Sequence, residues 1–78
     1  MMTIRVKYFA SLREHMGRAE ETLSADEALT VADVWRRVSG AQPIPANLLA
    51  AVNQEYRSFS QAVHDGDEVA FFPPVTGG

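Results

Sequence analysis

The chain has no cysteine. This removes disulfides, thiolate metal sites and a cysteine nucleophile in one stroke. Histidine is scarce as well; His15 and His64 are the only two, a thin basis for a metal centre. Among the basic residues only Lys7 is a lysine. Positive charge is in deficit, with seven Lys+Arg against ten Asp+Glu and a net charge of −3. No basic footprint for nucleic acid or an anionic membrane surface is present. No apolar run approaches the ~20 residues of a membrane span. Arg5, Lys7 and Arg13 interrupt any leader-like stretch near the start. There is no internal repeat and no low-complexity segment. No Ser/His/Asp set, phosphate-cradling glycine loop or paired-carboxylate cleft stands out, and Asp65, Asp67 and Glu68 read as a solvated turn. The expectation is a soluble, cytoplasmic protein with no nucleic-acid and no membrane partner.

What remains is an ordinary globular balance, 46% hydrophobic and 22% charged, in 78 residues. That length makes one small domain. Such a chain buries only about 60–65% of its extended surface, so the core is thin.

Thr3 to Phe9 alternates, with Ile4, Val6 and Tyr8 apolar and Thr3, Arg5 and Lys7 polar, the period of a half-buried strand. Phe9 falls on the polar side by parity; either it turns under the next element or it faces out. Ser11 and Glu14 have the spacing of a capping box, which predicts a short helix from Ser11 with Leu12 and Met16 on one face and Gly17 closing it. Arg13 points away from that face. Arg18 to Ser24 is a weaker strand, and Asp26-Glu27 a loop.

Thr30 and Asp33 form a second capping pair before the clearest helix, whose Val31, Val34, Trp35 and Val38 make an apolar stripe. Gly40 ends it. Trp35 is expected to anchor the core. Pro43 and Pro45 mark a loop, and Arg36–Asn47 carries no recognisable motif. Leu48 to Val52 reads as a buried strand, Asn53-Gln54-Glu55 as a turn, and Tyr56 to Phe59 as a return strand. Ser60 to Val63 is expected to make one helical turn. His64-Asp65-Gly66-Asp67 is a turn by its chemistry. Glu68 to Phe72 is the last strand, with Val69 and Phe71 inward and Ala70 and Phe72 outward. If the first and last strands are neighbours, Phe9 and Phe72 share the outer face. The order of elements predicts an α+β domain, a mixed sheet of about five strands with one main helix across one face, the first and last strands parallel at its centre. That is the β-grasp, ubiquitin-like arrangement. It would occupy residues 1–72, with 73–78 as an extended tail.

The tail is Pro73-Pro74-Val75-Thr76-Gly77-Gly78. Two prolines cannot continue a sheet interior and favour a path away from the body. Fully extended, these six residues reach about 20 Å. Gly77 and Gly78 carry no side chains, so a narrow channel in a partner could admit them. The alternative is a frayed end, as termini often are.

Three stretches together resemble one family: Phe9-Ala10-Ser11-Leu12-Arg13-Glu14, Leu48 to Gln54, and Asp65 to Gly78. They are similar to the small subunits of molybdopterin synthase, ubiquitin-like sulfur carriers of molybdenum cofactor synthesis. The resemblance covers essentially the whole chain, and its terminal block is the specific part. It implies that an activating enzyme, using ATP and magnesium that this chain does not itself bind, adenylates the Gly78 carboxylate. A sulfur donor protein then replaces AMP to leave a thiocarboxylate. The tail, Pro73, Pro74, Val75, Thr76 and Gly77 before Gly78, enters the large subunit of a heterotetramer of two large and two small subunits, and sulfur passes to the pterin precursor. This chain would thus be the sulfur-carrying part of a transferase whose catalytic side chains lie on the large subunit. The resemblance also places Phe9, Arg13, Tyr56 and Phe72 at the partner interface.

The residues agree with this on separate grounds. Without cysteine, carried sulfur must sit on a non-thiol group, and the terminal carboxyl is available. A carboxylate is ionised at pH 7 and a poor electrophile, so it needs activation first. Other readings stay open. Related β-grasp carriers for thiamine thiazole synthesis share the Gly-Gly end but are usually shorter and lack this Phe-Phe-Pro-Pro-Val-Thr spacer. A ubiquitin-like protein modifier would join Gly78 to a lysine amine, and a binding module would leave the tail inert.

Overall fold

The alternation around Val6 forms β1, Met2–Tyr8, and buries Ile4, Val6 and Tyr8 completely. The computed structural model describes residues 1–73. After β1 come α1 (Ala10–Met16), β2 (Glu20–Ala25), β3 (Leu29–Thr30), α2 (Val31–Ser39), β4 (Leu49–Val52), β5 (Glu55–Tyr56), β6 (Ala62–Val63) and β7 (Glu68–Phe72). The main sheet has five strands in the order β2-β1-β7-β4-β5. β1 and β7 run parallel at its centre, and the other pairs are antiparallel. This is the predicted mixed sheet. β3 and β6 pair separately as a short second sheet.

Helix α2 lies across one face, and its stripe of Val31, Val34, Trp35 and Val38 joins Ile4, Val6, Tyr8, Val69 and Phe71 in the core. The Thr30–Asp33 capping box is present in both directions, so two helix-end amides are satisfied locally. Gly17 and Gly40 close α1 and α2 at φ 75 and 73, a left-handed conformation that glycine adopts without steric cost. Trp35 stacks edge-on against Phe71 at 5.3 Å, and Phe59 and Tyr8 lie parallel to the same ring. The indole N–H of Trp35 donates to the carbonyls of Gln42 and Pro43, which ties the loop after α2 back to the helix.

Three local expectations are corrected. Helix α1 starts one residue before Ser11; its N-cap is Phe9, with no side-chain cap bond. The sheet decides this, because the Phe9 amide donates to the Phe71 carbonyl while its own carbonyl already accepts from Leu12. Ser60–Val63 is not a helical turn. A turn closes from Ser58 to Gln61, and Ala62–Val63 becomes β6 against β3. The reason is tertiary: the carbonyls of Gln61 and Phe59 accept the Val31 and Ala32 amides, first-turn donors of α2 that have no partner within the helix. The return strand is Glu55–Tyr56 rather than Tyr56–Phe59, since Asn53 and Gln54, at φ 51 and 70, make a tight two-residue hairpin turn.

Candidate functional site

Side chains alternate across a sheet, so the face opposite α2 is fixed by the same registers that build the core. One row across it runs Lys7, Ala70, Ala51, Tyr56, from β1 through β7 and β4 to β5. The next row pairs Phe72 with Leu49, and Phe9 stands beside Phe72. Phe72 is the middle ring, 6.3 Å from Phe9 edge-on and 5.5 Å from Tyr56 at a tilt. Phe9 is 48% exposed and Tyr56 70% exposed, while Phe72 is half-buried between them. The three predicted aromatics, from three separate stretches of chain, thus form one patch.

Each is held by backbone. The Phe9 amide extends the β1–β7 pairing by one bond before α1 turns away. Tyr56 follows the Asn53-Gln54 turn and pairs with Ala51. Pro73 follows Phe72 directly and is half-buried. Arg13 is exposed on α1, and no described contact joins it to the patch. Pro74, Val75, Thr76, Gly77 and Gly78 lie outside the described residues.

Toward β2 the face turns charged. Lys7 Nζ lies 3.1 Å from Glu68 Oε1, and Arg5 pairs with the same carboxylate at 3.6 Å. The patch therefore meets an ion pair at one edge. Beneath Glu68, Asn53 locks the start of β7. Its amide group donates to Asp67, its side-chain oxygen accepts from the Glu68 amide, and its backbone amide donates to the Glu68 carbonyl. Burial pushes the Asp67 carboxyl up, but hydrogen bonds from the Asn53 side chain and the His64 amide outweigh it and leave the group below the usual carboxylate range. On the far side, burial and the hydrogen bond to Glu21 push the Tyr8 hydroxyl well above the ordinary tyrosine value. Arg18 binds that Glu21 and also donates to the Met16 and Val38 carbonyls, at the ends of α1 and α2. These groups brace the fold and do not line the patch. Among the described residues, no group of three or more His, Cys, Asp or Glu is placed to hold a metal ion.

Lys7, Glu68, Ala51 and Leu49 complete the face without having been singled out in the sequence. Alternation marks Lys7 as outward. Only the β7–β4 register, which nothing local reveals, brings Ala51 beside Ala70.

A model of the ThiS family matches residues 6–78. The chain belongs to that family. Within it, the chain is 43% identical to the "Molybdopterin synthase sulfur carrier subunit" of Escherichia coli K12, with 96% of this chain and 99% of that protein covered. Its fold matches the small archaeal modifier protein 1 of Haloferax volcanii, with a TM-score of 0.83, 26% identity and coverage of 96% and 100% of the two chains. It also matches a chain in the complex of subunits 1 and 2 of molybdopterin-converting factor from Helicobacter pylori, with a TM-score of 0.68, 17% identity and coverage of 99% and 100%. That last likeness shows the fold alone. The ThiS-family fold is the ubiquitin-like β-grasp described above. No helix among the described residues is long and apolar enough to cross a membrane.

Proposed function

We propose that this chain is the sulfur carrier subunit of molybdopterin synthase, and that the Gly78 carboxyl is the group that carries sulfur. The observation that supports this most is the end-to-end likeness to the Escherichia coli sulfur carrier subunit, together with a solvent-facing aromatic patch at the point where β7 hands over to Pro73. A patch of Phe9, Tyr56 and Phe72 has the composition of an interface anchor. The large synthase subunit is its partner in a heterotetramer of two large and two small subunits, and Arg13 lies at the rim of the interface. Residues 73–78 form the tail that enters the partner.

The chemistry asks little of this chain beyond presenting a carboxylate. On the activating enzyme, which supplies ATP and magnesium, the Gly78 carboxylate attacks the α-phosphorus and pyrophosphate leaves. The outer sulfur of a donor protein's persulfide then attacks the acyl carbon and AMP leaves; a thiol reduces the resulting acyl disulfide, which releases the thiocarboxylate and leaves the donor sulfur in a disulfide with that thiol. In the synthase, the thiocarboxylate sulfur bonds to a carbon of the pterin precursor, and water then cleaves the acyl–sulfur bond, which leaves sulfur on the precursor and returns Gly78 to the carboxylate. A side chain at either of the last two positions would obstruct a narrow channel; glycine does not.

The test is incubation with the activating enzyme, ATP and a sulfur source, followed by intact mass. Replacement of oxygen by sulfur adds about 16 mass units. Methionine oxidation adds the same mass, so fragmentation must place the change on Gly78. No thiocarboxylate, or one located elsewhere, would overturn the assignment. A second reading, a protein modifier joined through Gly78, draws on the likeness to the archaeal modifier protein. The only lysine, Lys7, is held against Glu68 on the aromatic face, which disfavours lysine-linked chains of this protein. Conjugates to other proteins, absent in the reaction above but present in lysate with ATP, would favour that reading.

A further inference from the structure

A hollow of about 360 Å³ opens on the outer sheet face. Its floor is Ala51 and Ala70, paired directly across β4 and β7. Phe9, Tyr56 and Phe72 wall it, and the Lys7–Glu68 pair closes one end. The floor alanines are only 8% and 7% exposed, yet neither belongs to the core cluster. They are sheltered by the aromatic rings around them. The hollow exists because two one-carbon side chains meet where neighbouring positions carry rings.

We propose that this hollow is a socket for a single aliphatic side chain, of leucine or methionine size, projecting from the large synthase subunit. The proposal rests on the sulfur-carrier reading and specifies how that partner docks. The volume sits at the small end of the ~300–1,000 Å³ typical of ligand cavities, and the site is open above, which suits an inserted side chain better than a cofactor. The lining is apolar except for the Lys7–Glu68 pair and Gln54. Location identifies the occupant. Phe72 is a wall of the hollow and the residue immediately before Pro73, so a protein that takes the tail and also seats on the aromatic patch covers the socket. The chain's own continuation is a poorer candidate. Pro73 precedes another proline, which biases Pro73 itself to an extended conformation and disfavours the tight reversal that folding back over the floor would need.

The experiment fills the socket from below. Ala51→Leu and Ala70→Leu add bulk to the floor, and Ala51→Met is a gentler filling should either leucine lower the melting temperature. Thr22→Leu, the control, places a leucine on the outer face at β2, away from the hollow. Affinity of each full-length variant for the large subunit is measured by calorimetry alongside thermal melting. The expected result is near-normal melting with affinity about 30-fold or more weaker for the floor variants, the scale of a lost interface hot spot. Thr22→Leu should bind as the unmodified chain does. Unchanged affinity in folded floor variants overturns the socket while leaving the sulfur-carrier reading intact. Failure of the unmodified chain to bind the large subunit at all overturns both. Two further results overturn the assigned occupant. One is a dimer of the free chain that Ala51→Leu dissolves. The other is a change in the Ala51 and Ala70 methyl resonances when the free chain is truncated after Pro73.

Discussion

Phe72 touches two rings on the open face of the sheet and contributes nothing to the core cluster. Its neighbour Phe71 points the other way and is fully buried against Trp35, Tyr8 and Phe59. Adjacent phenylalanines thus have opposite duties, set only by the two-residue period of a strand. Phe72→Ala should weaken binding to the large subunit by about 2 kcal/mol, as loss of an aromatic anchor does, and lower the melting temperature far less. A binding titration and a thermal melt on the same variant check this; a large melting loss with unchanged affinity would place Phe72 with the core instead. Trp35→Ala should do the reverse. It removes the largest fully buried side chain and also frees the Gln42 and Pro43 carbonyls. The expected cost is about 3–5 kcal/mol, a large part of a small domain's stability, measured by denaturant unfolding.

Helix α2 is the element whose start depends most visibly on pH. Its Asp33 carboxyl is held below the usual range, first by the Thr30 amide and then by the Thr30 hydroxyl, with Arg36 and Arg37 adding to it. A carboxyl with a folded value below its unfolded one takes up its proton more readily in the unfolded chain. Its stabilisation is therefore complete above the unfolded value, about 3.9, and is lost as pH falls through the folded value. Asp67 has the same sign. The melting temperature should change little from neutral pH to about 5 on account of these groups and decline below about 4, and Asp33→Asn should flatten part of that decline.

α2 is also where the sequence was most legible. Cap, stripe and closing glycine are all local signals within eleven residues, Thr30 to Gly40, and each appears in the structure. Likewise β1 declares itself by alternation, and β7 by a short apolar run between a turn and two prolines. The missed elements are those whose partners lie far along the chain. β6 exists because β3 and the first turn of α2 need hydrogen-bond partners, and no property of Ala62–Val63 announces that. Ser11 has the chemistry of a cap, yet the β1–β7 ladder places the helix start before it. On the outer face, parity paired Phe9 with Phe72 correctly, and the resemblance added Tyr56. The alanine floor between them depends on the β7–β4 register and was invisible.

For the molecule as a whole, the carrier reading assigns binding to the packed domain and chemistry to the tail beyond it. Deleting Gly78 moves the carboxylate back by up to about 3.5 Å, and a displacement of about 1 Å at a reacting centre can cost on the order of 100-fold in rate. Appending one residue moves it forward and adds a side chain. Thiocarboxylate forms of both variants should melt normally and dock through Phe9, Tyr56 and Phe72, yet support almost no product formation in a reconstituted synthase. Near-normal turnover from either would sink the requirement for a carboxyl at Gly78. The central pairing of β1 with β7 bears on how the protein is made. During synthesis β1 emerges before its middle neighbour β7 and must wait for it, because Arg5 pairs with the distant Glu68. Until then β1 has only β2 beside it, and such a hairpin is marginally stable in water at best. The sheet cannot close while Phe72 is inside the ribosomal exit tunnel. A nascent or prematurely ended chain lacking β7 exposes the inner edges of β1 and β4, which β7 would otherwise cover. Such a fragment is a substrate for chaperones and proteases and cannot act as a partial carrier.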